Sequence, residues 1–118
     1  MEDRLTVYLG HILDAARDAL IYTEGMTKED FQSDRRTQQA IILNLLIIGE
    51  AATKLIQNHS DFLEEHRHIA WQSMRGMRNR IAHGYFDMNI EIVWETVKSE
   101  LPRLIHDLYE IQKQDGRR

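Results

Sequence analysis

In the C-terminal half the chain reads Arg75-Gly76-Met77-Arg78-Asn79-Arg80-Ile81-Ala82-His83-Gly84-Tyr85. These residue types suit phosphodiester chemistry. Arginine carries a permanent positive charge and a planar fork of donors that matches two phosphate oxygens. Histidine exchanges a proton near neutral pH, so it can serve as general acid or base. Cleavage of RNA needs little more. Its own 2′-hydroxyl is the nucleophile, and the protein supplies charge stabilisation and proton transfer. That scheme calls for no metal ion. Taken alone, an arginine and a histidine on a polar helix face are more often merely solvated.

The segment reads as a helix, and helical geometry constrains what it can do. Each residue advances by about 100° around the axis. Ala70, Met74, Met77 and Ile81 then share the face expected in the core, with the two methionines as filling. Gln72, Arg75, Gly76, Asn79 and His83 fall on the opposite face. Asn79 and His83 are one turn apart and can touch. Arg78 sits at the edge, roughly 140° from His83, so the two do not meet along a straight helix. A site using both must bend the helix at Ala82-His83-Gly84 or draw on a second subunit.

The elements that must position this segment are all helical by pattern. Leu5, Tyr8, Leu9, Ile12, Leu13, Ala16, Ala19 and Leu20 make one stripe of a first helix, about Arg4 to Tyr22, closed by Gly25. Thr27-Lys28-Glu29-Asp30 resembles a capping box and opens a short turn anchored by Phe31. A second long helix spans about Asp34 to Asn58. Its stretch Ile41, Ile42, Leu43, Leu45, Leu46, Ile47, Ile48 is apolar nearly all round, which predicts burial on more than one side, one side facing a second copy of the chain. Asn58-His59-Ser60-Asp61 is a break, and Phe62 to His66 reads as a short turn. The third main helix covers Trp71 to about His83. Asp87-Met88-Asn89 supplies a turn and an N-cap. The last helix runs from Ile90 to about Gln112, with Ile92, Val93, Val97, Leu101, Leu104, Ile105, Leu108 and Ile111 toward the core. Pro102 should kink it or mark a boundary. No stretch alternates with period two, so the expected fold is all-α, an antiparallel up-and-down bundle of four to five helices.

Composition agrees. A chain of 118 residues fits a single domain over 1–118. It has one proline and six glycines, few breakers for its length. With no cysteine, disulfides, thiolate metal sites and a cysteine nucleophile are excluded. The remaining histidines, His11, His59, His66, His68 and His106, lack metal-ligand spacing. No secretory pattern opens the chain, and the apolar run Ala40 to Gly49 is broken by Asn44 and too short to cross a bilayer. The expected setting is cytoplasmic, with no membrane partner. A net charge of −4 rules out a broad basic face for gripping duplex nucleic acid. Any contact must use a local patch: Arg75, Arg78 and Arg80, or Arg35 and Arg36, with Arg117 and Arg118 read as a loose tail.

Arg78-Asn79-x-x-x-His83-x-Tyr85 resembles the defining motif of the HEPN superfamily, and the tyrosine two residues past the histidine resembles its HepT-like branch. Asp34-Arg35-Arg36-Thr37-Gln38-Gln39-Ala40, Ile48-Gly49-Glu50-Ala51-Ala52 and Ile90-Glu91-Ile92-Val93-Trp94 look like that branch as well, so the resemblance covers nearly the whole chain. It implies a homodimer, alone or assembled further, whose two motif segments face each other in a composite cleft. It implies metal-independent RNA cleavage, endonucleolytic or end-trimming, by the toxin of a type VII-like toxin–antitoxin system. The implied partner is a minimal nucleotidyltransferase of the MNT type, which transfers AMP from its own ATP to Tyr85. This chain itself needs no cofactor.

The roles follow from type and place. Arg78 would meet phosphate and transition-state charge, His83 would move the proton, and Asn79 would orient the phosphate or His83. The resemblance, not residue type, makes Tyr85 a switch. Arg75, Arg80, Arg35 and Arg36 would add attraction for RNA without chemistry. Glu50 interrupts an apolar stretch. It either pairs with an arginine of the motif or faces solvent. A reading from another class keeps the same residues as a docking surface, in a non-catalytic helical binding subunit that partners the nucleotidyltransferase.

Overall fold

The computed structural model describes residues 3–114, so Arg117 and Arg118 lie outside the described residues. Helix α1 (Arg4–Tyr22) starts where the Asp3 carboxylate accepts from Leu5 N at 3.1 Å. It buries Leu5, Leu9, Ile12, Leu13, Ala16 and Ala19, the stripe its periodicity demands. It ends as the Thr23 hydroxyl donates back to Ala19 O, and the chain reverses at Gly25, whose φ of 77° favours glycine. Helix α2 (Lys28–Gln32) carries a complete capping box between Thr27 and Asp30. It serves mainly to seat Phe31, which is wholly buried against Trp94 at a ring separation of 5.3 Å. Burial of that ring stabilises the fold by about 2 kcal/mol.

Helix α3 (Arg35–Asn58) is the central rod, packed on α1 along one side and on a later helix along another. Asp34 is its cap rather than its first turn, accepting from Thr37 N at 3.0 Å. By length and composition α3 could cross a membrane, yet half of that apolar stretch is buried inside the bundle. Burial does not extend all round. Ile41, Ile42, Leu45 and Ile48 are buried, while Leu43 and Ile47 stay 56% and 38% exposed. Among the described residues, that side of the stretch is the less covered one.

Helix α4 (Ser60–Glu65) begins two residues earlier than the sequence suggests. The chain then turns into α5 (Trp71–Gly84), with the Trp71 indole donating to His66 O at 3.0 Å. Met77 and Ile81 are buried and Met74 partly so, as expected. Ala70 is exposed instead, because it caps the helix from outside and escapes the helical phase. A single 3₁₀ turn (Tyr85–Asp87) follows, and Asn89 caps the next helix by accepting from Glu91 N and Ile92 N.

The last rod is continuous but not uniform. Helix α6 (Ile90–Glu95) widens into a π-helical turn (Thr96–Glu100) and resumes as α7 (Leu101–Gln114). Pro102 explains the change, since it offers no N–H to the carbonyl of Lys98 and its ring crowds that carbonyl. A π turn just upstream takes those groups out of the regular ladder. Val93, Val97, Leu101, Leu104, Leu108 and Ile111 are buried and Ile105 partly so, whereas Ile92 is 41% exposed. Ile92 lies about 140° around the helix from Val97 and faces outward.

The described residues contain no strand. Four rods, α1, α3, α5 and the 90–114 rod, make an up-and-down bundle joined by the short α2 and α4. The order across the bundle is α7, α1, α3, α5, so α5 rests on α3 and makes no extensive contact with α6 or α7. An open groove of about 450 Å³ separates them, floored by Leu45 and Ile48.

Candidate active site

The site begins with a close approach of two helices. A Cβ placed on Gly49 of α3 would overlap the Arg78 Cβ of α5 and stand 2.7 Å from Met74 O. Only a residue without a side chain lets the rods come this near. The contact fixes where Arg78 leaves its helix. Its side chain then meets two oxygens. Nε donates to Glu50 Oε2 at 2.9 Å and Nη1 donates to Asn79 Oδ1 at 2.9 Å. The Arg78 side chain remains about one-third exposed, and Nη2 and the second Nη1 hydrogen are left for a ligand.

Glu50 therefore pairs with an arginine of the motif while its side chain stays about half exposed. Asn79 orients Arg78, not His83, in the free chain. Gly49 was missed as a site residue by sequence reasoning. The signal was present as a glycine in the middle of an apolar helix, where it costs about 1 kcal/mol relative to alanine and so asks for a packing reason.

His83 is exposed in the last turn of α5, and no hydrogen bond joins it to Arg78. The helix stays regular until Gly84, where the backbone leaves at φ −158°, ψ 61°. The bend thus falls after His83 and does not swing it toward Arg78. Its neighbour is Arg80. The two line a shallow pocket of about 310 Å³ with Gly84, Asp87, Met88, Asn89 and Ile92. Arg80 is the arginine that accompanies the histidine within one chain.

Tyr85 is 37% exposed on the 3₁₀ turn, with its ring edge-on to Phe86 at 5.3 Å. Phe86 is 91% exposed and was not singled out by sequence reasoning, because a lone turn residue has no periodicity to read. Arg75 is tied to Gln72 at 3.0 Å on the face beyond Arg78. Arg35 and Arg36 open α3 roughly 20 Å along the axis from Glu50, outside this constellation. No group of three or more potential metal ligands occurs among the described residues.

This arrangement can present an arginine to a phosphate on one side of α5 and a histidine to a proton on another. Comparison with known proteins adds the family. A family model described as "Ribonuclease HepT-like" matches residues 12–111. A Methanocaldococcus jannaschii protein, provisionally named RNase MJ0127, is 35% identical over 106 residues, 90% of this chain and 85% of the relative. A second, provisionally named RNase TTE0752, from Caldanaerobacter subterraneus subsp. tengcongensis, is 35% identical over 92% of this chain and 94% of the relative. The protein named "Probable ribonuclease HepT" from Thermococcus cleftensis is 40% identical over 82% of this chain and 86% of the relative. No solved structure matches with significance.

Proposed function

This chain belongs to the HepT-like ribonuclease family and is a ribonuclease of that family, and we propose that it is the toxin of a toxin–antitoxin pair, cutting RNA without a metal at a cleft shared by two copies of the chain. One observation carries the reading. Arg78 and His83 sit on the same regular helix about 140° apart, so a site that needs both takes one from each copy. Leu43 and Ile47 support the docking, because they form an exposed apolar stripe one turn apart on α3 that leads up to Glu50.

In the proposed reaction, the substrate 2′-oxygen attacks the adjacent phosphorus and the bond from phosphorus to the 5′-oxygen breaks. His83 takes the 2′-proton while water protonates the departing 5′-oxygen, or protonates that oxygen while water takes the 2′-proton, leaving a 2′,3′-cyclic phosphate and a 5′-hydroxyl. Arg78, aimed by Glu50 and Asn79, stabilises the charge that builds on the phosphate oxygens. Arg80 and Arg75 draw the strand toward the cleft. The antitoxin is a nucleotidyltransferase of the MNT type. It binds ATP, and the Tyr85 hydroxyl attacks the α-phosphate, releasing pyrophosphate and leaving AMP on the ring. Exposure of Tyr85, two residues after His83, suits that role, since the added bulk and negative charge would bar RNA from the cleft.

The test is incubation of the purified protein with RNA in the presence of EDTA. Cleavage by the wild type, lost in Arg78→Ala and in His83→Ala, is the expected result. Intact RNA with the wild type would favour a non-catalytic binding subunit. Full activity in both variants would remove the assignment of the site.

A further inference from the structure

We propose that Phe86 is a base-stacking platform, holding an unpaired base next to the phosphate that is cut, an inference that rests on the ribonuclease site proposed above. The other two phenylalanines are packed, Phe31 wholly buried and Phe62 against the core. Phe86 is 91% exposed although it follows directly on the motif. The backbone presents it. The 3₁₀ turn Tyr85–Asp87 is closed by Met88 N donating to Tyr85 O at 3.3 Å, and the Tyr85 ring steadies Phe86 edge-on at 5.3 Å.

The surroundings match a nucleotide. Within a few residues lies the pocket of about 310 Å³ where Arg80 can meet a phosphate and His83 a ribose hydroxyl. Asp87 and Asn89 line the same pocket, and the Asp87 carboxylate can accept from the polar edge of a base while Asn89, whose Oδ1 caps α6, keeps its amide N–H groups to donate. Charge makes the need plain. At a net −4 the chain has little general attraction for RNA, so affinity must come from local contacts. Stacking supplies such affinity without regard to sequence, and only an unpaired base has a free face to stack. The site would therefore prefer single strands over duplex.

The experiment compares wild type, Phe86→Ala and Phe86→Trp on a fluorescent single-stranded RNA and on the same sequence as a duplex. Cleavage gives kcat and KM. Anisotropy gives Kd for each form in a His83→Ala background, which does not consume the RNA. Phe86→Ala is expected to weaken single-strand binding about tenfold or more, to raise KM by more than it lowers kcat, and to erase the preference over duplex. Phe86→Trp is expected to restore all three, with its emission quenched by RNA. Trp71 and Trp94 are buried and add little to that signal. An unchanged Kd and KM in Phe86→Ala would overturn the proposal. So would a change in oligomeric state, which would mark Phe86 as a protein contact. If the wild type cuts nothing but binding still depends on Phe86, the ribonuclease reading fails and the platform stands.

Discussion

Gly49 lies directly beneath Arg78, so close that no β-carbon fits between the two helices that carry them. The residue after that glycine, Glu50, then accepts the Arg78 Nε–H at 2.9 Å. Packing and site geometry are thus set by neighbouring residues of one helix.

Gly49→Ala reverses the usual sign of a helical substitution. Alanine in place of glycine normally favours a helix by about 1 kcal/mol. Here the methyl meets the Arg78 Cβ and Met74 O, and neither atom can move without its backbone. Net destabilisation of about 1–3 kcal/mol is expected, together with loss of RNA cleavage. Urea denaturation measures the first; an equal or higher midpoint would show that the rods separate easily.

Glu50→Ala should separate activity from stability. Both side chains of its ion pair are well exposed, at 34% and 49%, so the pair is worth at most about 1 kcal/mol. Arg78 would lose one of its two anchors, and a fall in kcat/KM on the order of ten- to a hundredfold is expected. Glu50→Gln keeps an acceptor oxygen and should recover part of the rate. A drop in rate no larger than the loss of fold stability would reduce Glu50 to a structural residue.

A shared cleft predicts complementation. Arg78→Ala and His83→Ala, each inactive alone, should regain activity when unfolded and refolded together. Half of the dimers would be mixed and each would hold one intact site of two, giving about a quarter of wild-type activity. A mixture that stays inactive would place both residues in sites belonging to single chains.

Leu43→Glu combined with Ile47→Glu should convert a dimer to a monomer that keeps its fold. Both positions are exposed within one chain, so the cost to the monomer should stay within about 0.5 kcal/mol each. Light scattering after gel filtration reads the mass. A dimer that survives both charges would have its interface elsewhere.

Acid should loosen α3 from its N-terminus. The backbone N–H and hydroxyl of Thr37 hold the Asp34 carboxyl below the usual carboxylate range. A lowered pKa in the folded state means that its contribution is full above the unfolded value and fades as pH falls through the folded one. Asp34→Ala should therefore lower the melting temperature at neutral pH and make no difference once the wild-type carboxyl is protonated. An equal loss at both extremes would mean that the cap acts through packing alone.

The helices, two of their caps and the motif were legible in the sequence because each rests on local rules. Apolar spacing of three and four residues fixed the buried stripes of α1 and α7, Thr27 and Asn89 announced helix starts, and Pro102 announced a break. The angle between Arg78 and His83 was also local, since it follows from helical geometry alone. What the tertiary structure decided were relations between distant residues. Glu50 and Arg78 are 28 positions apart, and only the packing of α5 on α3 shows that they touch. The same packing gave Gly49 its role, since it brings the Arg78 Cβ and Met74 O against that position. It also chose which side of the all-apolar stretch of α3 would stay bare at Leu43 and Ile47. A uniformly apolar helix carries no local preference among its faces, so the choice belongs to the neighbours that the fold brings against it.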